Sequence, residues 1–380
     1  MRLRLGRQVF TVVAVAGLAA TCAASQAQAT FLPNPGPALT AIRWRIAKIV
    51  SNSPGVVNLF QVTAVSPSDL WAAGGVTPQL GTDSPILEHW GGRAWRNWTP
   101  PVAGLHLADS DLTAIGSSSR TNVWALGTSN GQSYALRWNG RSWRKYSFGA
   151  AIDMTAVAVI SRSDVWAFGR PAGRAGQPFA ERFDGTRWHA TSPPGFGDSV
   201  SAVSASHIWA VGPKAGSTAP GPLVVSHWTS GSWHAVALPA VGKPGDVLAS
   251  PNIFAGSGSG VWVDAEVMAP GGARPLYPVL LHLSGSAWQV HRCPLGFTEL
   301  GQMTSDGRGV WIVAGSGWPR AGYFMHFGGR WTWHVATKPS NALDPVITAL
   351  VKIPGSSWML AAGVLPYQLG GSGIVYEYAR

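Results

Sequence analysis

Ser163-Asp164-Val165-Trp166-Ala167-Phe168-Gly169, followed by Glu181-Arg182-Phe183-Asp184-Gly185-Thr186-Arg187-Trp188, decides how this chain folds. The first stretch alternates with period two and ends in Gly, the pattern of a short strand. The second reads as a strand, an Asp-Gly turn and the start of another strand.

The pattern recurs. Trp71, Trp124, Trp166, Trp209, Trp262, Trp311 and Trp358 begin the equivalent segments, 42 to 53 residues apart. Three residues after each stands Gly74, Gly127, Gly169, Gly212, Ala265, Ala314 or Ala361. A small residue at a fixed offset marks close approach by a neighbouring strand or side chain. An apolar segment precedes each Trp: Val62-Thr63-Ala64-Val65, Leu112-Thr113-Ala114-Ile115, Met154-Thr155-Ala156-Val157 and Ile347-Thr348-Ala349-Leu350 show it best. A third segment follows, ending in Trp90, Trp138, Phe183, Trp228, Leu283, Phe327 or Tyr378. After a Gly-containing turn, a fourth begins near Trp95, Trp143, Trp188, Trp233, Trp288 or Trp331.

Four strands per unit of this length is the size of a propeller blade. The expected fold is therefore all-β, a seven-bladed β-propeller of four-stranded antiparallel blades. The last unit runs out at Arg380 without a fourth strand. Ala41-Ile42-Arg43-Trp44-Arg45-Ile46 resembles the fourth-strand segment Ala94-Trp95-Arg96-Asn97-Trp98, so an N-terminal strand is expected to complete the last blade and close the ring. Repeated Trp are expected to pack between blades, leaving Trp98, Trp318 and Trp333 without a repeat position.

Composition agrees. Gly (47) and Pro (28) are abundant, charged residues are only 12 %, and the formal net charge is +11. Arg2, Arg4 and Arg7 precede an apolar run from Val9 to Ala20, and Ala27-Gln28-Ala29 fits a cleavage site. Residues 1–29 thus read as a signal peptide, 30–42 as a linker and 43–380 as the propeller. The run is too short to read as a transmembrane helix. Secretion to the outside of the cell is expected, with anchoring by a lipid on Cys22 as the alternative. Removal of the signal leaves Cys293 alone, so the mature chain has no internal disulfide.

Units of the form DVWA(F/L/V)G followed by (H/R)W-x-G-x-x-W resemble repeats of secreted bacterial β-propellers. They are similar in cadence to seven-bladed fucose-binding lectins, with Phe183-Asp184-Gly185-Thr186-Arg187-Trp188 the nearest match. The same turn resembles a degenerate Asp-box, and kelch and galactose-oxidase-like propellers are more distant. The lectin resemblance implies a propeller that recognises sugar, but transfers no binding residue.

Three sets of residues are candidates for chemistry. His89, His227, His282 and His326, with Arg137 and Arg182 at the same position, precede the third-strand aromatic. Being one per blade, they are too dispersed for a metal site, and a bond across neighbouring blades is the expected role. His189, His234 and His334 should face solvent. Asp69 and Asp164 stand two residues before the Trp and read as turn residues. Asp111, Asp153 and Asp246 precede inner strands and could line a channel mouth, where a carboxylate pair would suit glycoside chemistry. The loops between second and third strands hold the non-repeat residues. Trp318, Arg320, Tyr277, Arg274, Tyr367 and Arg174 are the expected ligand contacts, combining stacking faces with planar cations.

Scattered positive charge and export argue against nucleic acid. No phosphate loop, dinucleotide fingerprint, zinc spacing or nucleophile elbow appears, so no catalytic residue, metal or cofactor is expected. The expected function is carbohydrate binding at or outside the cell envelope. A protein-interaction scaffold is the alternative. An enzyme (glycosidase, lyase or oxidase) is the least favoured reading.

Overall fold

The computed structural model describes residues 43–51, 55–100, 102–149, 152–171, 177–217, 222–272, 274–316, 321–368 and 370–379. The expected signal peptide, linker and Cys22 lie outside the described residues. Among the described residues, the strands form five four-stranded antiparallel sheets and one eight-stranded sheet. The eight-stranded sheet divides into two four-stranded units, joined where Val56 meets Gly371. Seven units follow in chain order: blade 1 over 56–97, blade 2 over 110–147, blade 3 over 152–190, blade 4 over 199–236, blade 5 over 247–292, blade 6 over 299–335 and blade 7 over 346–379. First strands contact one another in cyclic order, with blade 7 against blade 1.

The N-terminal strand Arg43–Val50 pairs antiparallel with Gly371–Ala379 and is the fourth strand of blade 7. Its Lys48 lies beside Glu88 of blade 1. Burial raises the Glu88 carboxyl above its ordinary value, and the Lys48 charge pulls it back.

Two local rules explain the repeats. The first strand bulges where it passes the small residue: the register skips between Leu112 and Ala114, Met154 and Ala156, and Ile347 and Ala349. The skipped residues are Thr113, Thr155 and Thr348. Each donates its hydroxyl to a carbonyl of the following blade: Met154 O (2.7 Å), Gly197 O (2.6 Å) and Leu59 O (2.7 Å). The bulge also drives a first-strand carbonyl into the place of a side chain. A Cβ on Gly74, Gly127 or Gly363 would collide with Asn58 O, Asp111 O or Val346 O. In blades 5 and 6 the irregularity is one residue longer, from Ala249 to Asn252 and from Leu300 to Met303, and Ala is accommodated.

This register corrects two alignments. In blade 7, Leu360 pairs with Glu377 as Trp71 pairs with His89, so Leu360 and Gly363 hold the repeat positions, not Trp358 and Ala361. In blade 1 the segment equivalent to Leu112-Thr113-Ala114 is Leu59-Phe60-Gln61, three residues before the expected Val62-Thr63-Ala64.

The core lies in the seams. The second-strand Trp of blades 1, 2, 3, 5 and 6 pack against aromatics of the following blade. Trp124 meets Phe183 (5.1 Å between ring centroids) and Trp188 (5.4 Å). Trp166 meets Trp228 (4.9 Å) and Trp233 (5.5 Å), and Trp311 meets Tyr378 (4.9 Å) and Trp44 (6.0 Å). Edge-to-face contacts of this kind add to the area each ring buries.

Candidate functional site

A polar brace is built on the second-strand Trp of each of blades 1 to 6; blade 7 has Leu360 in that place. The Trp and the third-strand His or Arg are direct strand partners, so their side chains share a face. His89 stacks on Trp71 (4.0 Å), His227 on Trp209 (3.6 Å) and His282 on Trp262 (3.7 Å). The guanidinium of Arg182 lies over Trp166 (5.2 Å) and that of Arg137 over Trp124 (5.4 Å). The acid two residues before the Trp is more than a turn residue. Asp69 Oδ1 accepts from Trp71 Nε1 (2.8 Å) and His89 Nε2 (2.9 Å). Asp164 Oδ1 accepts from Trp166 Nε1 (2.9 Å) and Arg182 Nε (2.8 Å). Both carboxylates are buried. The expected bond across blades holds for Arg137, whose Nη2 reaches Arg162 O (3.5 Å). His89, Arg182 and His282 bond within their own blades.

Blade 4 has a histidine in place of the acid. His207 Nδ1 lies 3.1 Å from His227 Nε2. Burial first, then the neighbouring His207 and His234, lowers the His227 pKa to about 4, so its ring is neutral at pH 7.

One brace borders an open cleft of about 300 Å³ between blades 1 and 2, lined by Asp69, Trp71, His89, Trp98, Arg120 and Trp138, with Gly91 and Gly140 at its turns. Trp98 extends the fourth strand of blade 1, its N donating to Leu87 O (2.7 Å). That places its ring 5.3 Å from Trp71, 4.6 Å from His89 and 4.9 Å from Trp138 across the seam. Trp98 is 36 % exposed, the one Trp among the described residues with that much surface in solvent. Arg120 reaches back from blade 2: its Nη2 donates to Ser68 Oγ (2.7 Å), and its Nε stands 3.6 Å from Asp69 Oδ2. Its side chain is 65 % exposed. The cleft therefore presents an exposed indole beside a half-free guanidinium, over a carboxylate whose Oδ1 holds two donors. Such a carboxylate is a poor general base but a firm anchor for the groups around it.

Trp98 does occupy a repeat position, three residues after the fourth-strand Trp. Tyr146, His291 and His334 stand there in blades 2, 5 and 6 and cover Trp124 (5.3 Å), Trp262 (6.1 Å) and Trp311 (6.4 Å). His334 is half-buried over Trp311 instead of facing solvent. The offset of three was the signal in the sequence, obscured because the residue type changes from blade to blade.

The expected loop contacts are dispersed. Trp318, Arg320 and Arg174 lie outside the described residues. Tyr277 packs in the core between blades 4 and 5, with Arg292 over its ring (5.0 Å), whereas Tyr367 packs between blades 6 and 7. Arg274 is exposed. Arg170, also from these loops, is fastened to Asp198 through Nε (2.8 Å) and Nη2. Asp246 closes its own loop by accepting from Lys243 N (2.8 Å). Among the described residues, no three or more His, Cys, Asp or Glu are grouped to hold a metal ion, and no helix is long and apolar enough to cross a membrane.

No protein-family model matches the sequence, and no curated protein matches it. Solved structures do. YCF48 bound to a D1 peptide superposes with a TM-score of 0.56 over 91 % of this chain and 99 % of its own, at 13 % identity. An ulvan lyase of polysaccharide lyase family PL25, bound to a GlcA–Rha3S saccharide, gives 0.54 over 86 % and 94 %, at 11 % identity. The chain is a β-propeller. A fucose-specific lectin from Aleuria aurantia gives 0.43 at 11 % identity, too low to bear on the ligand. At these identities the likenesses extend to the fold alone.

Proposed function

We propose that this propeller is a carbohydrate-binding module working at or outside the cell envelope. One observation carries the reading: the cleft between blades 1 and 2, where the exposed Trp98 stands beside Arg120 and Trp138. An indole face stacks on the apolar face of a pyranose, and a guanidinium donates to hydroxyl or carboxylate oxygens. Asp69 is held by Trp71 and His89, which suits binding more than turnover. Export rests on the basic and apolar character of residues 1–29. The loop residues Trp318, Arg320, Tyr277, Arg274, Tyr367 and Arg174 are proposed as further contacts. The cadence shared with fucose-binding lectins supports a sugar ligand without naming it.

A glycan array probed with the wild type and with Trp98→Ala tests the reading. Wild type should bind at least one glycan class. Trp98→Ala should weaken that binding severalfold, since a stacking contact contributes on the order of 1 kcal/mol. Absence of binding to any glycan by the wild type overturns the carbohydrate reading in favour of a protein partner. Equal binding by Trp98→Ala removes the cleft.

A further inference from the structure

In each blade the four strands pair antiparallel in chain order, so the turns joining strands one to two and three to four lie at the same end. Contacts between these turns agree: a Cβ on Gly92, Gly140 or Gly185 would meet Ser68, Thr121 or Ser163 of the same blade. This turn face is rich in one residue type. Over blades 1 to 3 it carries Arg93, Arg120, Arg141, Arg162 and Arg187, all exposed, and no lysine. Blade 6 adds Arg308 and Arg330, whereas the corresponding turns of blades 4 and 5 are uncharged.

The only acid in the turns of blades 1 to 3 is Asp184, and it is engaged within its own hairpin. Its Oδ1 accepts from Thr186 N (2.8 Å) and Arg187 N (2.9 Å), and its Oδ2 lies 2.6 Å from His189 Nε2. Asp69 and Asp164 are buried below the surface. The opposite face is different in kind: its loops mix Asp83, Asp109, Asp198, Asp246 and Asp344 with basic residues, and Lys338 pairs with Asp344 there (2.8 Å). The turn face of blades 1 to 3 is therefore net positive, whereas the loops of the opposite face carry charge of both signs.

The arginines also bridge blades. Arg120 of blade 2 bonds Ser68 of blade 1, and Arg162 of blade 3 bonds Thr121 of blade 2 (2.5 Å). The result is a crescent that crosses two seams and contains the Trp98 cleft. Each guanidinium carries five N–H donors in a rigid fork that matches carboxylate and sulfate oxygens. A single small anion would use one or two of these side chains, whereas a chain bearing an anion at each repeat would use the crescent along its length.

We infer that the turn face of blades 1 to 3 binds an acidic polysaccharide, with carboxylate or sulfate groups on the arginines and a sugar ring on Trp98. This rests on the carbohydrate reading above and adds the charge and the path of the ligand. The test is binding of the mature full-length chain to polygalacturonate, dextran sulfate, neutral dextran and single-stranded DNA, at low and high salt. Polygalacturonate or dextran sulfate should bind most tightly, and salt should weaken the complex by screening. The triple variant Arg93→Gln/Arg141→Gln/Arg187→Gln should keep the wild-type melting midpoint and lose about tenfold in affinity for the acidic chains. Trp98→Ala should weaken all glycans alike.

Equal binding by the triple variant, or tighter binding of DNA than of either acidic polysaccharide, overturns the inference. If neutral dextran is bound as tightly as the acidic chains, the crescent is wrong while the carbohydrate reading stands. If no glycan is bound, both fall together.

Discussion

Trp44 stands directly opposite Tyr378, in the place that Trp95 takes opposite Trp90 and Trp188 opposite Phe183. The first described strand of the chain is thereby the last strand of the last blade. Trp44 is buried, stacks on Phe324 of blade 6 (3.7 Å) and touches Trp311 (6.0 Å), so one side chain joins both ends of the chain to the neighbouring blade.

Deletion of residues 30–50 should therefore destabilise the whole ring. It strips Trp44 from the seam between blades 6 and 7, bares the strand 371–379 as an open edge and leaves Glu88 without Lys48. Loss of one buried Trp alone costs about 3–5 kcal/mol. The melting midpoint should fall by on the order of 5 °C or more, and equal midpoints for the two proteins would contradict closure by this strand.

Trp166 tests the seams directly. It is fully buried, its ring meets Trp228 and Trp233 of blade 4, and its Nε1 is bonded to Asp164. Trp166→Ala should cost about 3–5 kcal/mol in urea unfolding. A loss under about 1 kcal/mol would mean the repeated Trp are not what holds neighbouring blades together.

The repeats, the strand order and the closing strand were legible because each rests on a residue type at a fixed spacing. What sequence reading missed depended on register. The Thr of Leu-Thr-Ala is a bulged residue bonding the next blade, and only strand pairing shows that Phe60, not Thr63, is its equivalent in blade 1. Likewise Trp358 looks like a repeat Trp, yet the residue paired as Trp71 is paired is Leu360. The cleft was hidden for a different reason. Trp98, Arg120 and Trp138 come from separate segments of two blades, and nothing local joins them. The arginines read as scattered charge along the chain and gather only once the turns are sorted by end.

Asp264 is an irregularity in an otherwise apolar seam. Leu126, Phe168, Val211 and Val313 stand at the equivalent place, two residues after the Trp. Asp264 is fully buried; its Oδ1 accepts from Asn252 Nδ2 (3.0 Å) and its Oδ2 has no hydrogen-bond partner among the described residues. Burial raises its pKa well above the ordinary value, with Asn252 opposing and the charge of Glu266 adding. The carboxyl is thus protonated in the fold at pH values where the unfolded chain has lost that proton. Stability from this group is full below the ordinary carboxylate pKa and declines as pH rises toward the raised one. Asp264→Asn keeps the Asn252 bond and removes the decline. It should stabilise the protein at pH 7 by about 1–3 kcal/mol and flatten the slope of stability against pH above 4. A less stable variant at pH 7, or an unchanged slope, would contradict a buried, protonated Asp264.

The central claim is that ligand is held on the turn face at the seam of blades 1 and 2. Hydrogen–deuterium exchange of the mature chain, with and without an acidic polysaccharide that it binds, reads this most directly. The account predicts slower exchange at 87–98, 119–122 and 137–142, the segments around Trp98, Arg120 and Trp138, whether or not the loops between second and third strands are protected as well. Protection confined to those other loops, around Trp318 and Arg274, with none around Trp98, would contradict it.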